Sequence, residues 1–503
     1  MASDIIPTST TTDPERASRV RARRGRRQRR VARLSRVAAV ALIVILAASC
    51  MLFPDGSWTT TKPVAGEPAL AWNDPDDALA DSPIDLDDVD YLEEEYFIGG
   101  SAAAYARVGT WDATGRWQAQ PATGKGFATR ILVRRPAEPR AFNGVVVVEW
   151  LNVTSGSDLD ALFRPTHTEL LGKGYAWVGV SAQQVGVDAL KRQDPERYNI
   201  LQHPGDAYAY DIFTRAGRIV ANPASPVLGE LHPRVVLASG SSQSASTLLT
   251  YINAVHPLVN VYDGFQLQSH LGLAWGLGDG HPMPEHPTVR TDITVPVLDV
   301  QSESDIVVWR THLNRQEDHA NFRLWELAGS SHIGEYGRSL TWPPDPTAPG
   351  DPCTERINSA PVFAMAKTAT AALARWAREG VAPPSVSRIT LGDPSAPDPI
   401  GRDQYGNSLG GIRYPHVDVP VARVDGVQNT APTGAPPIQG FICSLSGRTL
   451  PFSDARLAEL YPMAGDYVTQ FGAAADRAVD AGFLLPEDAD VLKAAAAASP
   501  PIA

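Results

Sequence analysis

The stretch RVVLASGSSQSASTLLTY, residues 234–251, constrains this chain more than any other. A β-branched run meets Gly240-Ser241-Ser242-Gln243-Ser244, and a helical pattern begins at once, with Ala245, Leu248, Leu249, Ile252 and Val255 on one face. A strand that bends straight into a helix forces the residue at the bend into a strained backbone conformation. Its neighbours two before and two after must then be small. Gly240 meets that demand, and Ser244 supplies a small polar residue on the other side. The rest of the chain agrees with such a joint. From about residue 90, β-rich runs alternate with helical ones, the pattern of a mostly parallel sheet covered by helices. Strands are expected at Thr129–Val133, Gly144–Glu149, Tyr175–Val180, Val235–Ala238, Tyr262–Gln266, Val295–Val300 and Phe322–Leu327. Several are unbroken apolar runs, as strands buried on both faces should be.

A serine at such a bend is a nucleophile elbow when a base and an orienting acid lie within reach, because a hydroxyl alone is a poor nucleophile. Chain order then runs serine, acid, histidine. After Ser242, the run TVPVLDVQSESDIVV (294–308) ends a strand with a turn bearing Glu303 and Asp305. FRLWELAGSSHIG (322–334) ends the next strand with a loop bearing His332. Asp305 is the candidate acid, three residues after the small Ser302, with Glu303 as the alternative. The main-chain amide of Gln243, at the helix start, is one expected donor to an oxyanion. The loop after VVVVEW (145–150) is expected to give the second, from Leu151 or Asn152. No histidine pair has the helical spacing of a zinc site and no Gly-rich phosphate loop follows a strand, so neither metal nor cofactor is expected.

The net charge of −12 hides a segregated chain. Residues 1–36 hold eleven arginines and three acids, leaving 33 basic against 53 acidic residues in the remainder. An acidic body repels a phosphate backbone, which excludes nucleic acid as a partner for it. The arginine-rich head is expected to be a disordered cytoplasmic tail. It precedes seventeen uncharged residues, 37–53, whose helix would rise about 25 Å against ~30 Å of hydrocarbon. The expectation is a membrane anchor with the body exported, a cleaved signal being the alternative. Residues 54–88, rich in Pro, Asp and Gly, read as a linker.

In an oxidising compartment Cys353 and Cys443 are expected to pair. Ser359–Glu379 reads as a long amphipathic helix, 384–450 as a wrapped segment, and 453–482 and 486–498 as sites of short helices. The catalytic body is expected to span 89–485, followed by a C-terminal helix and tail over 486–503.

With these motifs stand longer strings: EEEYFIGGSAAAY (93–105), FNGVVVVEWLNVTSGSD (142–158), RYNILQHPGDAYAYDIF (197–213), SGSSQSA (239–245), LWELAGSSHIGEYG (324–337) and GNSLGGIRYPHVDVPVA (406–422). Through them the chain resembles a family of bacterial α/β-hydrolase domain proteins, esterase-like, from about residue 90 to 485. The resemblance implies an α/β-hydrolase fold with Ser242 as nucleophile and His332 as base. The expected activity is cleavage of small-molecule carboxylic esters through an acyl-enzyme, with LGLAWGLGDG (271–280) as a cap over the acyl pocket. A catalytically silent envelope protein on the same scaffold is the alternative.

Overall fold

The structure is a computed structural model that describes residues 69–73, 84–335, 352–463 and 465–501. The arginine-rich head, the apolar segment 37–53 and most of 54–88 lie outside the described residues. Among the described residues no helix is long and apolar enough to cross a membrane.

A nine-stranded sheet forms the centre, in the order β1-β2-β3-β5-β4-β6-β7-β8-β9. The strands are β1 (Ala69–Asn73), β2 (Tyr91–Val108), β3 (Gln118–Pro136), β4 (Val145–Trp150), β5 (Ala176–Val180), β6 (Val235–Ser241), β7 (Gly264–Gln268), β8 (Val297–Ser302) and β9 (Phe322–Leu327). β4 through β9 pair in parallel, while β1, β2 and β3 add an antiparallel edge. All seven expected strands are present, and β2 is a strand that periodicity did not expose. β1 corrects the reading of 54–88 as linker throughout, since 69–73 pairs with β2.

The apolar runs divide as pleating dictates. In β4, Val146, Val148 and Trp150 enter one core and Val145 and Val147 the other. Helices α3 (Ala209–Ala221) and α4 (Gln243–Thr250) cover the first face. The second is covered by α1 (Phe163–Gly172), α6 (Val362–Glu379), α8 (Asp466–Asp480) and α9 (Pro486–Ala498). The helix expected at 486–498 is α9, and it packs into the body, which therefore runs past residue 485; its Asp488 forms a buried ion pair with Lys367 at 2.7 Å.

β5 lies on one side of β4 and β6 on the other, so successive crossovers leave in opposite directions and a crevice opens at the carboxyl ends of β4 and β6. The wrapped segment 384–450 contributes a small sheet of β10 (Ala422–Asp425) and β11 (Arg448–Pro451) and the helix α7 (Pro437–Ser444). Cys443 of α7 is disulfide-bonded to Cys353, closing a loop with a sequence separation of 90. In the chain-entropy account such a loop adds up to about 4.5 kcal/mol.

Candidate active site

Ser242 sits between β6 and α4 with φ 60° and ψ −118°, a left-handed conformation that side-chain-bearing residues avoid. Three things hold it there. Its N–H donates to the Gln268 carbonyl of β7 at 2.8 Å. A Cβ on Gly240 would lie 2.9 Å from the Ser244 carbonyl carbon, so only glycine lets the helix start so close to the strand. The Ser244 hydroxyl accepts from Ser241 N–H at 3.0 Å and donates to Ser241 C=O at 2.9 Å, which no glycine there could do.

The ends of β8 and β9 deliver the other two groups. Ser302 caps the short helix α5 (Glu303–Val308), and Asp305 closes a reciprocal capping box with it. One carboxylate oxygen of Asp305 accepts from Ser302 N–H and Oγ–H, each at 2.7 Å. The other lies 2.6 Å from His332 Nδ1, and His332 Nε2 lies 2.9 Å from Ser242 Oγ. A carboxylate only accepts, so Nδ1 carries the proton and Nε2 offers its lone pair to the serine hydroxyl. The Ser304 hydroxyl accepts from His332 N–H at 2.6 Å and fixes the histidine's backbone. Full burial would raise the Asp305 carboxyl. The adjacent His332 and the hydrogen bonds from His332 and Ser302 outweigh burial and hold it below the usual carboxylate range.

Glu303, the alternative acid, is turned away from His332. Its carboxylate is fully buried and accepts from Arg402 Nη2 (2.9 Å), Gly329 N–H (2.8 Å), Gly426 N–H (3.0 Å) and the Ser408 hydroxyl. The wrapped segment is pinned to the acid turn this way, and a Cβ on Gly426 would lie 2.3 Å from Ser304 N. Glu303→Ala takes the acceptor of Gly426 N–H and of the Ser408 hydroxyl and one of two acceptors from Gly329 N–H and Arg402, and should lower the denaturation midpoint by the equivalent of about 3–5 kcal/mol. Turnover per titrated site is expected to stay near that of the wild type; an activity loss exceeding the loss of folded sites would return Glu303 to the chemistry.

The two expected loop donors need correction. Leu151 N–H donates to Val180 C=O at 3.3 Å and Asn152 N–H to Leu159 C=O at 2.9 Å, so both amides are spent. Asn152 instead acts through its side chain, whose Nδ2 donates to Ser241 C=O at 2.9 Å. Val153 N–H is the first amide of that loop with no acceptor among the described residues. Gln243 opens α4, so its N–H has no intrahelical acceptor. Residues 271–280 contain neither helix nor strand and lie against α4, with Trp275 N–H donating to Ser246 C=O at 3.3 Å.

Sequence reasoning passed over two further buried side chains at this edge. His270, just past β7, has Nε2 3.1 Å from Asp299 and accepts Gly272 N–H at Nδ1. Gln183, just past β5, accepts from Trp150 and Gln243. Their strand-end positions were the available signal. Among the described residues no group of His, Cys, Asp and Glu could hold a metal ion.

A parallel sheet with a strained serine at its crevice and an acid and a histidine on the next strand ends defines a hydrolase scaffold. The chain belongs to the family described as Alpha/beta hydrolase domain, whose model matches residues 59–494. No curated protein matches it significantly. Similar solved structures include a putative dienelactone hydrolase from Klebsiella pneumoniae, at 11% identity and TM-score 0.24 over 46% of this chain and 85% of that one. XC6422 from Xanthomonas campestris, titled a member of a/b serine hydrolase without lid, has 14% identity and TM-score 0.27 over 47% and 88%. An esterase from Thermogutta terrifontis has 14% identity and TM-score 0.24 over 39% and 78%.

Proposed function

We propose that this protein is a serine hydrolase that cleaves carboxylic esters through Ser242, His332 and Asp305. The observation that carries the reading is the 2.9 Å contact between His332 Nε2 and Ser242 Oγ, with Asp305 behind the ring. Ser242 Oγ attacks the ester carbonyl carbon as its proton passes to His332 Nε2. Asp305 holds the resulting imidazolium, and the oxyanion accepts from the amides of Gln243 and Val153. Collapse breaks the bond to the alcohol oxygen, which takes the proton from His332. Water then gives a proton to His332 as its oxygen attacks the acyl carbon, and collapse breaks the bond to Ser242 Oγ, which takes that proton back from His332 as the acid leaves.

The body is proposed to work outside the cytoplasm, tethered by residues 37–53 or released after cleavage. The Cys353–Cys443 disulfide supports an oxidising compartment.

A fluorophosphonate probe tests the chemistry. The peptide containing Ser242 should gain the phosphonyl mass, and a panel of p-nitrophenyl esters should then reveal the preferred acyl length. Labelling confined to other serines, with no turnover of any ester, would remove the enzymatic reading.

A further inference from the structure

The side chain of Gln243 does something its main-chain role does not require. Its Nε2 donates to Gln183 Oε1 at 2.9 Å and to Thr247 Oγ1 at 3.2 Å. Gln183 Oε1 also takes the Trp150 indole N–H at 3.1 Å. An indole nitrogen can only donate, which fixes Gln183 Oε1 as the acceptor and in turn fixes which end of Gln243 faces it. Gln243 Oε1 is left over, buried and without a partner among the described residues.

Gln183 is equally freed for this task. It occupies the N-cap position of α2 (Gln184–Gln193), yet its side chain makes no cap. Asp206, from the QHPGD turn, takes the Gln184 N–H instead at 2.7 Å. Both glutamines and Trp150 are buried, with exposures of 5%, 7% and 0%. The chain of bonds runs from Trp150, the residue before the Leu151–Val153 loop, through Gln183 to Gln243, whose amide follows the nucleophile. It therefore joins the two backbone segments that would supply the oxyanion donors.

We infer that Gln183 and Gln243 are positioning residues that hold those two donors at the spacing a tetrahedral oxyanion needs. The inference rests on the ester-hydrolase reading. A planar ester carbonyl and a tetrahedral oxyanion place their oxygens differently, so loosening the bridge weakens binding of the second far more than of the first.

Gln183→Leu and Gln243→Leu keep approximate volume and delete the bridge. Turnover of p-nitrophenyl butyrate, normalised to sites titrated with the fluorophosphonate, should fall about ten- to a hundredfold in kcat. KM should stay within about twofold, and Ki for an alkyl trifluoromethyl ketone, which forms a tetrahedral adduct, should rise in step with the fall in kcat/KM. Because each rate is counted per titrated site, a poorly folding variant still gives a reading. Unchanged kcat per site, or a loss confined to KM, would overturn the inference while leaving an active wild type and its Ser242 chemistry intact. An inactive, unlabelled wild type would instead overturn the ester-hydrolase reading beneath it.

Discussion

Ser242→Ala should lose ester turnover by about 10⁴- to 10⁶-fold while its unfolding midpoint stays within a degree or two of the wild type. The loss follows from chemistry that has no substitute. Ser241 and Ser244 flank the position, but the Ser244 hydroxyl is committed to the Ser241 backbone on both its donor and acceptor sides. The small change in stability follows from what the hydroxyl does in the folded state, where His332 Nε2 is its one side-chain partner among the described residues. Alanine keeps the Cβ and hence the strain at φ 60°. Ser242→Gly removes that strain and should therefore be the more stable of the two inactive variants, by about 1 kcal/mol. The ordering glycine above alanine, read by thermal melts, tests whether the elbow stores strain for function. An alanine variant that still hydrolyses esters at the wild-type rate would take Ser242 out of the mechanism.

Legibility of this fold in its sequence follows from where each constraint lies along the chain. Strands buried on both faces announce themselves, as Val145 to Val148 do, because every residue needs an apolar side chain. The antiparallel β2 is different. Its Gly99-Gly100 and Ala102–Ala104 carry little hydrophobic signal, and its buried positions recur irregularly. β1 lies in a stretch of Pro and Asp whose composition reads as linker.

The site divides the same way. Ser242, Asp305 and His332 each sit at a strand end that local pattern locates. The choice between Asp305 and Glu303 does not reside in their own turn. It is made by Arg402, Ser408 and Gly426, about a hundred residues on, which occupy Glu303. Likewise the amides of Leu151 and Asn152 are consumed by Val180 and Leu159, partners that appear only once the loop is folded.

Asp305→Asn should cost about 10³- to 10⁴-fold in kcat with the backbone unchanged, and the capping box explains why the loss is so large. One Asp305 oxygen faces two donors, the N–H and the hydroxyl of Ser302. An asparagine must put its carbonyl oxygen there, which leaves its NH₂ against His332 Nδ1. The ring then accepts at Nδ1 and carries its proton on Nε2, where it can no longer take the proton of Ser242. Hydroxide replaces the lost base, so the residual rate of the variant should climb with pH where the wild-type rate has levelled off.

Stability carries a second signature. The folded Asp305 carboxyl titrates below its unfolded value of about 3.9, so the unfolded chain binds more protons in that range. The stabilisation it gives is present above that pH and is lost as pH falls through the folded value. Asparagine cannot titrate, so the gap in unfolding midpoint between wild type and variant should narrow as pH falls below about 4. Full activity in Asp305→Asn, with a wild-type pH profile, would mean that the ring at 332 is oriented by something other than the carboxylate 2.6 Å away.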